Sequence, residues 1–192
     1  GKTMKTIAVI ILEQFADWEV ALLAPVLQQY VGYSVRYASL DKREKTSMGN
    51  LRVLPDFTLD EIPADAAALI LVGANQSWRG LSAANCEKIV KIVRRFKQQD
   101  KTVGGICDAT YFLAANGLLN DCLHTANSLN AITDLPGYGN RQNYVETKRE
   151  AVRDGKMVTA NGTAFADFAI QMLYALGDVH EDVIAQCQQM WQ

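Results

Sequence analysis

Three apolar runs, each passing directly into a turn or helix, constrain this chain more than any other feature. They are "MKTIAVIIL" (Met4–Leu12), "AAALILVG" (Ala66–Gly73) and "KTVGGIC" (Lys101–Cys107). They do not alternate apolar with polar residues, so no face is reserved for water. Near-continuous runs of this length are expected of central parallel strands covered on both faces. Segments with helical spacing lie between them: "ADWEVALLAPVLQQYVG", "SAANCEKIVKIVRRFKQQD" with Ser82 as N-cap, and "DATYFLAANGLL". "YSVRYASL" (Tyr33–Leu40) reads as a further strand. The alternation predicts an α/β fold, a three-layer sandwich around a mainly parallel sheet of flavodoxin-like type. Parallel neighbours need a long crossover, and the intervening helices supply it.

Other segments are less regular. "DKREKTSMGNLRVLPD" is polar, with a hairpin expected around Gly49–Asn50. "HTANSL" reads as a short strand, and "NYVETKREAVRDGKMVTAN" as two strands around an Asp154–Gly155 turn. "TAFADFAIQMLYALG" and "EDVIAQCQQMW" read as helices, with Phe165, Phe168, Met172 and Leu173 as core. No linker interrupts residues 1–192, and one domain is expected. Gly1–Thr3 read as an addition ahead of a natural start at Met4.

Composition excludes several functions. The net charge is -2 and no basic block occurs, which argues against nucleic acid or an anionic membrane as partner. No run reaches membrane-spanning length, and no secretion signal is legible. A cytoplasmic protein is expected. Its four cysteines (Cys86, Cys107, Cys122 and Cys187) then stay reduced. They form no CxxC pair, so no metal site is expected. Neither G-x-G-x-x-G nor a P-loop is present, so no cofactor is expected.

In open α/β sheets ligands bind beyond the carboxyl ends of the strands. Three segments leave that edge: "EQFADWEV", "GANQSW" and "CDAT". Cys107 stands where a strand meets a helix directly, as a nucleophile does in an elbow. The helix N-terminus is expected to favour its thiolate. Backbone N–H groups there can receive an oxyanion. Position alone leaves Cys107 open as a nucleophile, an oxidation sensor or a buried thiol. Glu19 reads either as a solvated carboxylate in a first helical turn or as a partly buried acid that donates to a thiolate. Asp17 reads as an N-cap. Trp78 is a candidate pocket wall or loop anchor. Asp108 is a candidate proton donor, and Cys122 a candidate resolving thiol.

Four motifs in order, "DWEVALLAPVL", "ALILVGA", "GGICDATYFLAANGLL" and "KMVTANGTAFADFAIQMLYALG", resemble the ThiJ/PfpI family of the class I glutamine amidotransferase-like superfamily. The resemblance spans nearly the whole chain. It implies that Cys107 is the family's reactive elbow cysteine and Glu19 the acid touching it. It also implies that the loop of Gly73 and Ala74 faces the site, with the Asp108 amide opposite. Hydrolase, protease, amidase, glyoxalase or deglycase chemistry on a small carbonyl or amide substrate follows as the expectation, with a homodimer as assembly. An oxidation-sensing stress protein is the alternative, and a pocket that binds without turnover is a third possibility. Many relatives carry a histidine at the position held here by Asn127. His124 lies three residues earlier, an odd offset that reverses side-chain direction on a strand. Both residues are pocket candidates. A standard cysteine–histidine pair is not visible.

Overall fold

The computed structural model describes residues 4–191. The expectation about Gly1–Thr3 therefore lies outside the described residues. The chain runs through β1 (Thr6–Ile10), α1 (Leu23–Val26), β2 (Ser34–Ser39), β3 (Lys45–Thr46), β4 (Arg52–Val53), β5 (Phe57–Thr58), β6 (Ala68–Leu71) and α2 (Ala83–Gln98). It continues through β7 (Thr102–Ile106), α3 (Asp108–Ala115), α4 (Leu129–Ile132), β8 (Val152–Asp154), β9 (Met157–Ala160), α5 (Phe165–Leu176) and α6 (Glu181–Trp191). Seven strands form one sheet in the order β5-β2-β1-β6-β7-β9-β8. Every pairing in it is parallel except β8 with β9.

The strand sequences explain the layers. On β1, Ala8 and Ile10 point into a core shared with Ile89, Phe96 and Phe112 of α2 and α3. Ile7 and Val9 point the other way, to Leu23 of α1, Phe168 of α5 and Ile184 of α6. The twofold alternation of a strand thus serves two apolar cores. Gly104 and Gly105 do the same for β7. A β-carbon on Gly104 would lie 2.5 Å from Met172 Sδ of α5, and one on Gly105 would lie 2.5 Å from Leu113 Cδ1 of α3. Helices press on both faces of this strand because it carries no side chain there. The α/β three-layer architecture matches the sequence expectation. No helix among the described residues is long and apolar enough to cross a membrane.

Three local expectations change. The segment before β2 is not one helix. A 3-10 turn at Asp17–Glu19 comes first, then α1, then a π turn over Leu27–Val31 that ends at Gly32 with φ 99°. Pro25 has no N–H to bond back, so it sits in the first turn of α1. Asp17 is not an N-cap: its carboxylate accepts from Ser47 Oγ and from the Gly49 amide at 2.8 Å, which ties the β3–β4 hairpin to the Glu19 turn. "HTANSL" is not a strand. A single bridge joins His124 to Tyr144, and Ser128 then caps α4 by accepting from the Ala131 amide at 3.2 Å. The hairpin around Gly49–Asn50, the β8–β9 hairpin and the Ser82 cap of α2 form as expected.

Candidate active site

β7 delivers the chain to the carboxyl edge of the sheet, and α3 begins one residue later. Cys107 occupies that single junction residue with φ 60° and ψ -129°. A side chain at such a φ costs about 1–3 kcal/mol and persists only where its surroundings fix it. Here the Cys107 amide donates to the Ala160 carbonyl at 2.9 Å. Its own carbonyl accepts from the Thr110 amide at 3.0 Å and from Thr110 Oγ1 at 2.6 Å. The backbone is clamped on both sides, and the half-buried thiol is thrown forward off the sheet edge.

Three segments converge on the sulfur. Glu19 arrives from the turn after β1 and is 1% exposed. Its Oε1 accepts from the Gly73 amide at 2.7 Å. Its Oε2 has no well-aligned hydrogen-bond partner among the described residues, yet it faces the Cys107 sulfur. A β-carbon placed on Gly162 would lie 2.8 Å from Cys107 Sγ and 3.4 Å from Glu19 Oε2. Both groups crowd the same glycine, which is why only a glycine fits there. Asn127 donates from Nδ2 to Sγ at 3.4 Å. Its orientation is fixed because Oδ1 accepts the Gly162 amide at 3.0 Å. Trp18 closes the assembly by donating from Nε1 to the Gly162 carbonyl at 2.8 Å.

Burial dominates the electrostatics. It pushes the Glu19 carboxyl up to about 8, opposed by hydrogen bonds from Cys107 and the Gly73 amide. Glu19 is therefore mostly protonated at neutral pH. Burial, then the charge of Glu19 when ionised, pushes the Cys107 thiol up to about 12; donation from Asn127 and the Asp108 amide works the other way. This reverses the expectation of a thiol acidified by the helix terminus alone. The N-terminus of α3 favours the thiolate, but desolvation outweighs it. The first proton lost from this pair belongs to both groups. Once it leaves, thiolate beside carboxylic acid and thiol beside carboxylate are one protonation state.

Several candidates stand elsewhere than expected. The Gly73 amide is engaged by Glu19 and is not available to an oxyanion. The Ala74 amide has no acceptor among the described residues, because Ala74 is bridged to Phe15 through the flanking Ala16 and Asn75 amides. The Asp108 side chain is engaged in an ion pair. Arg79 holds it through Nη2 at 2.8 Å and Nε at 3.1 Å while lying 4.0 Å over the Tyr111 ring. Trp78 is a core anchor, not a pocket wall: it is buried, donates to the Val72 carbonyl at 2.7 Å and packs 4.9 Å from Phe112. His124 is fully buried, with Nδ1 2.9 Å from the Cys122 carbonyl and Nε2 2.6 Å from the Tyr138 hydroxyl. It lines no part of the Cys107 cleft. Cys122 shares a cavity with Val103 and Met157 at the starts of β7 and β9, the opposite edge of the sheet from Cys107. Five strand residues span about 16 Å, beyond the reach of a disulfide.

The thiol opens into a cleft of about 630 Å³ walled by Trp18, Asn127, Arg149, Thr163 and Phe165. Trp18, Arg149 and Thr163 carry no local sequence signal for this role, and Phe165 lines the cleft while also packing against the core. The Trp18 position is legible only once Gly162, which is 144 residues away, is placed beside it. No cluster of three or more potential metal ligands occurs among the described residues.

Comparison with known proteins places the fold in a family. The family model described as the DJ-1/PfpI family matches residues 5–175. A Bacillus subtilis protein named "Uncharacterized protease YdeA" is 36% identical over 165 residues, covering 86% of this chain and 80% of that protein. The crystal structure of a DJ-1 superfamily protein from Agrobacterium tumefaciens superposes with a TM-score of 0.86 at 36% identity, over 97% of each chain. That of a thiJ/pfpI family protein from Bacillus anthracis gives 0.81 at 28% identity, covering 100% of this chain and 93% of that one. The family model's match over residues 5–175, with a relative 36% identical over 86% of this chain, shows that the chain belongs to the DJ-1/PfpI family.

Proposed function

We propose that this protein is a cysteine-dependent enzyme of hydrolase or lyase type acting on a small carbonyl or amide substrate. The observation that carries the reading is Cys107 held at a positive φ between β7 and α3, with its sulfur beside a protonated Glu19. A relative bearing the name protease supports the same chemistry. Amidase, protease and glyoxalase or deglycase activities all begin with attack of sulfur on a carbonyl carbon.

Glu19 stands in for the histidine that the site lacks. When the pair has lost one proton, the thiol proton passes to the Glu19 carboxylate and the sulfur becomes the nucleophile. A C–S bond forms, and the carbonyl electron pair moves onto oxygen. The Ala74 amide, with the Asp108 amide beside it, receives that oxyanion. Glu19 returns its proton as the intermediate collapses. An acyl substrate then loses its leaving group and water releases the acid from the thioester; a 2-oxoaldehyde is protonated on oxygen to a hemithioacetal, moves its carbon-bound proton to the neighbouring carbonyl carbon to become a thioester, and is released by water in the same way. The Asp108 side chain has no part in this, because Arg79 holds it. Asp108→Ala is expected to keep turnover within about threefold, since it retains the backbone amide. A panel of small aldehydes, amides and esters assayed with both proteins tests the reading. No turnover of any member would overturn it.

A second reading is favoured by the donors around the sulfur. The Asn127 amide and the Asp108 N–H can stabilise an oxidised sulfur as readily as a thiolate. As an oxidation sensor, Cys107 should be modified by mild peroxide well before Cys86 or Cys187. Mass spectrometry of the three peptides decides this, and equal oxidation removes the sensor reading. In either case we take the working assembly to be a homodimer and the location cytoplasmic.

A further inference from the structure

The cleft at Cys107 does not end at Phe165. A second hollow of about 630 Å³ lies beyond it, and the two share Arg149, Thr163 and Phe165 as a common wall. The floor of the second hollow is apolar, formed by Leu22, Ala166, Ile170 and Trp191. Its two acids line only the far hollow and are already engaged. Asp167 accepts the Ala151 amide at 2.7 Å and Gln171 Nε2 at 3.2 Å, and Glu150 accepts the Lys148 amide at 3.0 Å. Arg149 is the one basic residue on the shared wall and forms no ion pair among the described residues. The Cys107 sulfur, a cation on the shared wall and an apolar hollow beyond it therefore follow one another. A pocket that is mostly apolar, with few polar groups at one end, orients a ligand by that end.

We infer that the site takes an acyl substrate with a hydrocarbon tail. The carbonyl lies at Cys107, the polar head faces Arg149, and the tail runs past Phe165 onto Leu22, Ile170 and Trp191. This rests on the proposed function for the role of Cys107 but names a substrate class that the reading leaves open. Each methylene that leaves water for such a floor strengthens binding roughly three- to fourfold.

The test uses binding instead of turnover. Cys107 is alkylated with iodoacetamide in the presence of acetate, butyrate or octanoate, and the half-protecting concentration is read for each. Octanoate is expected to protect at least tenfold better than acetate. In Ala166→Trp, which fills the floor, that ratio should fall below threefold. Gln188→Trp, on the outer wall of the same hollow, provides a second variant if the first does not fold. Arg149→Ala should weaken protection by every carboxylate. Equal protection by acetate and octanoate in the wild type overturns the inference, as does an unchanged ratio in the folded groove variants. A chain-length effect without turnover of any ester would leave the acyl site standing and remove the enzymatic reading instead.

Discussion

Cys107→Ser is expected to lower kcat/KM on any substrate of this protein by at least about three orders of magnitude, with the fold retained. Removing the nucleophile of a covalent mechanism typically costs that much or more. Serine keeps the backbone clamps to Ala160 and Thr110 and fits the same space. Its hydroxyl is far less acidic than a thiol, however, so the Glu19 carboxylate draws off its proton far less readily. Circular dichroism and the melting temperature should be close to wild type. If Cys107 were only a packed thiol, turnover would change less than tenfold. The same variant should lose alkylation at position 107, leaving only Cys86, Cys122 and Cys187 to be modified.

The second large effect is expected from Glu19→Gln. Glutamine keeps an oxygen to accept the Gly73 amide, so the loop geometry survives. It cannot receive the thiol proton. The sulfur must then ionise alone, free of the carboxylate charge that raises it but still disfavoured by burial. kcat/KM should fall by roughly two orders of magnitude or more, the usual contribution of a positioned general acid–base. Stability gives an independent readout of opposite sign. The folded state binds the Glu19 proton more tightly than the unfolded state. The carboxyl's contribution is therefore fully present below 4.5 and is lost as pH rises through about 8. Glu19→Gln carries no charge to bury. It should be more stable than wild type at pH 9 by at least about 2 kcal/mol, with the gap closing by pH 5. Equal denaturation midpoints at pH 9 would show that Glu19 is not a buried acid.

Much of the architecture is legible in the sequence, for physical reasons. β1, β6 and β7 announce themselves because strands covered on both faces cannot carry polar residues. The elbow announces itself because Gly104 and Gly105 end in a cysteine with a helix directly behind it. Contacts between distant segments are not legible. Trp18 and Trp78 both flank loops at the sheet edge, and local sequence does not say which one faces the sulfur. The Val72 carbonyl captures Trp78, and the Gly162 carbonyl captures Trp18. Asp108 resembles a free acid until Arg79, 29 residues earlier, is brought against it. Asn127 lies against the sulfur and His124 does not, but strand parity is not the reason. The segment is not a strand, and the Cys122 carbonyl and Tyr138 hold the imidazole inside. The direction of the thiol's titration is hidden from the sequence for a similar reason. A helix N-terminus can be read from sequence, whereas the depth at which Glu19 and Cys107 are buried together cannot.

The account turns on one claim: the reactivity of Cys107 is set by a proton shared with Glu19. The pH dependence of Cys107 alkylation by iodoacetamide in the wild-type protein, from pH 5 to 10, tests this most directly. The shared proton predicts a rate that is low at pH 6 and still rising above pH 8, because burial raises both groups of the pair. A midpoint below 7, or a rate already saturated at pH 6, would mean that the helix terminus alone makes the thiolate, and would contradict the account.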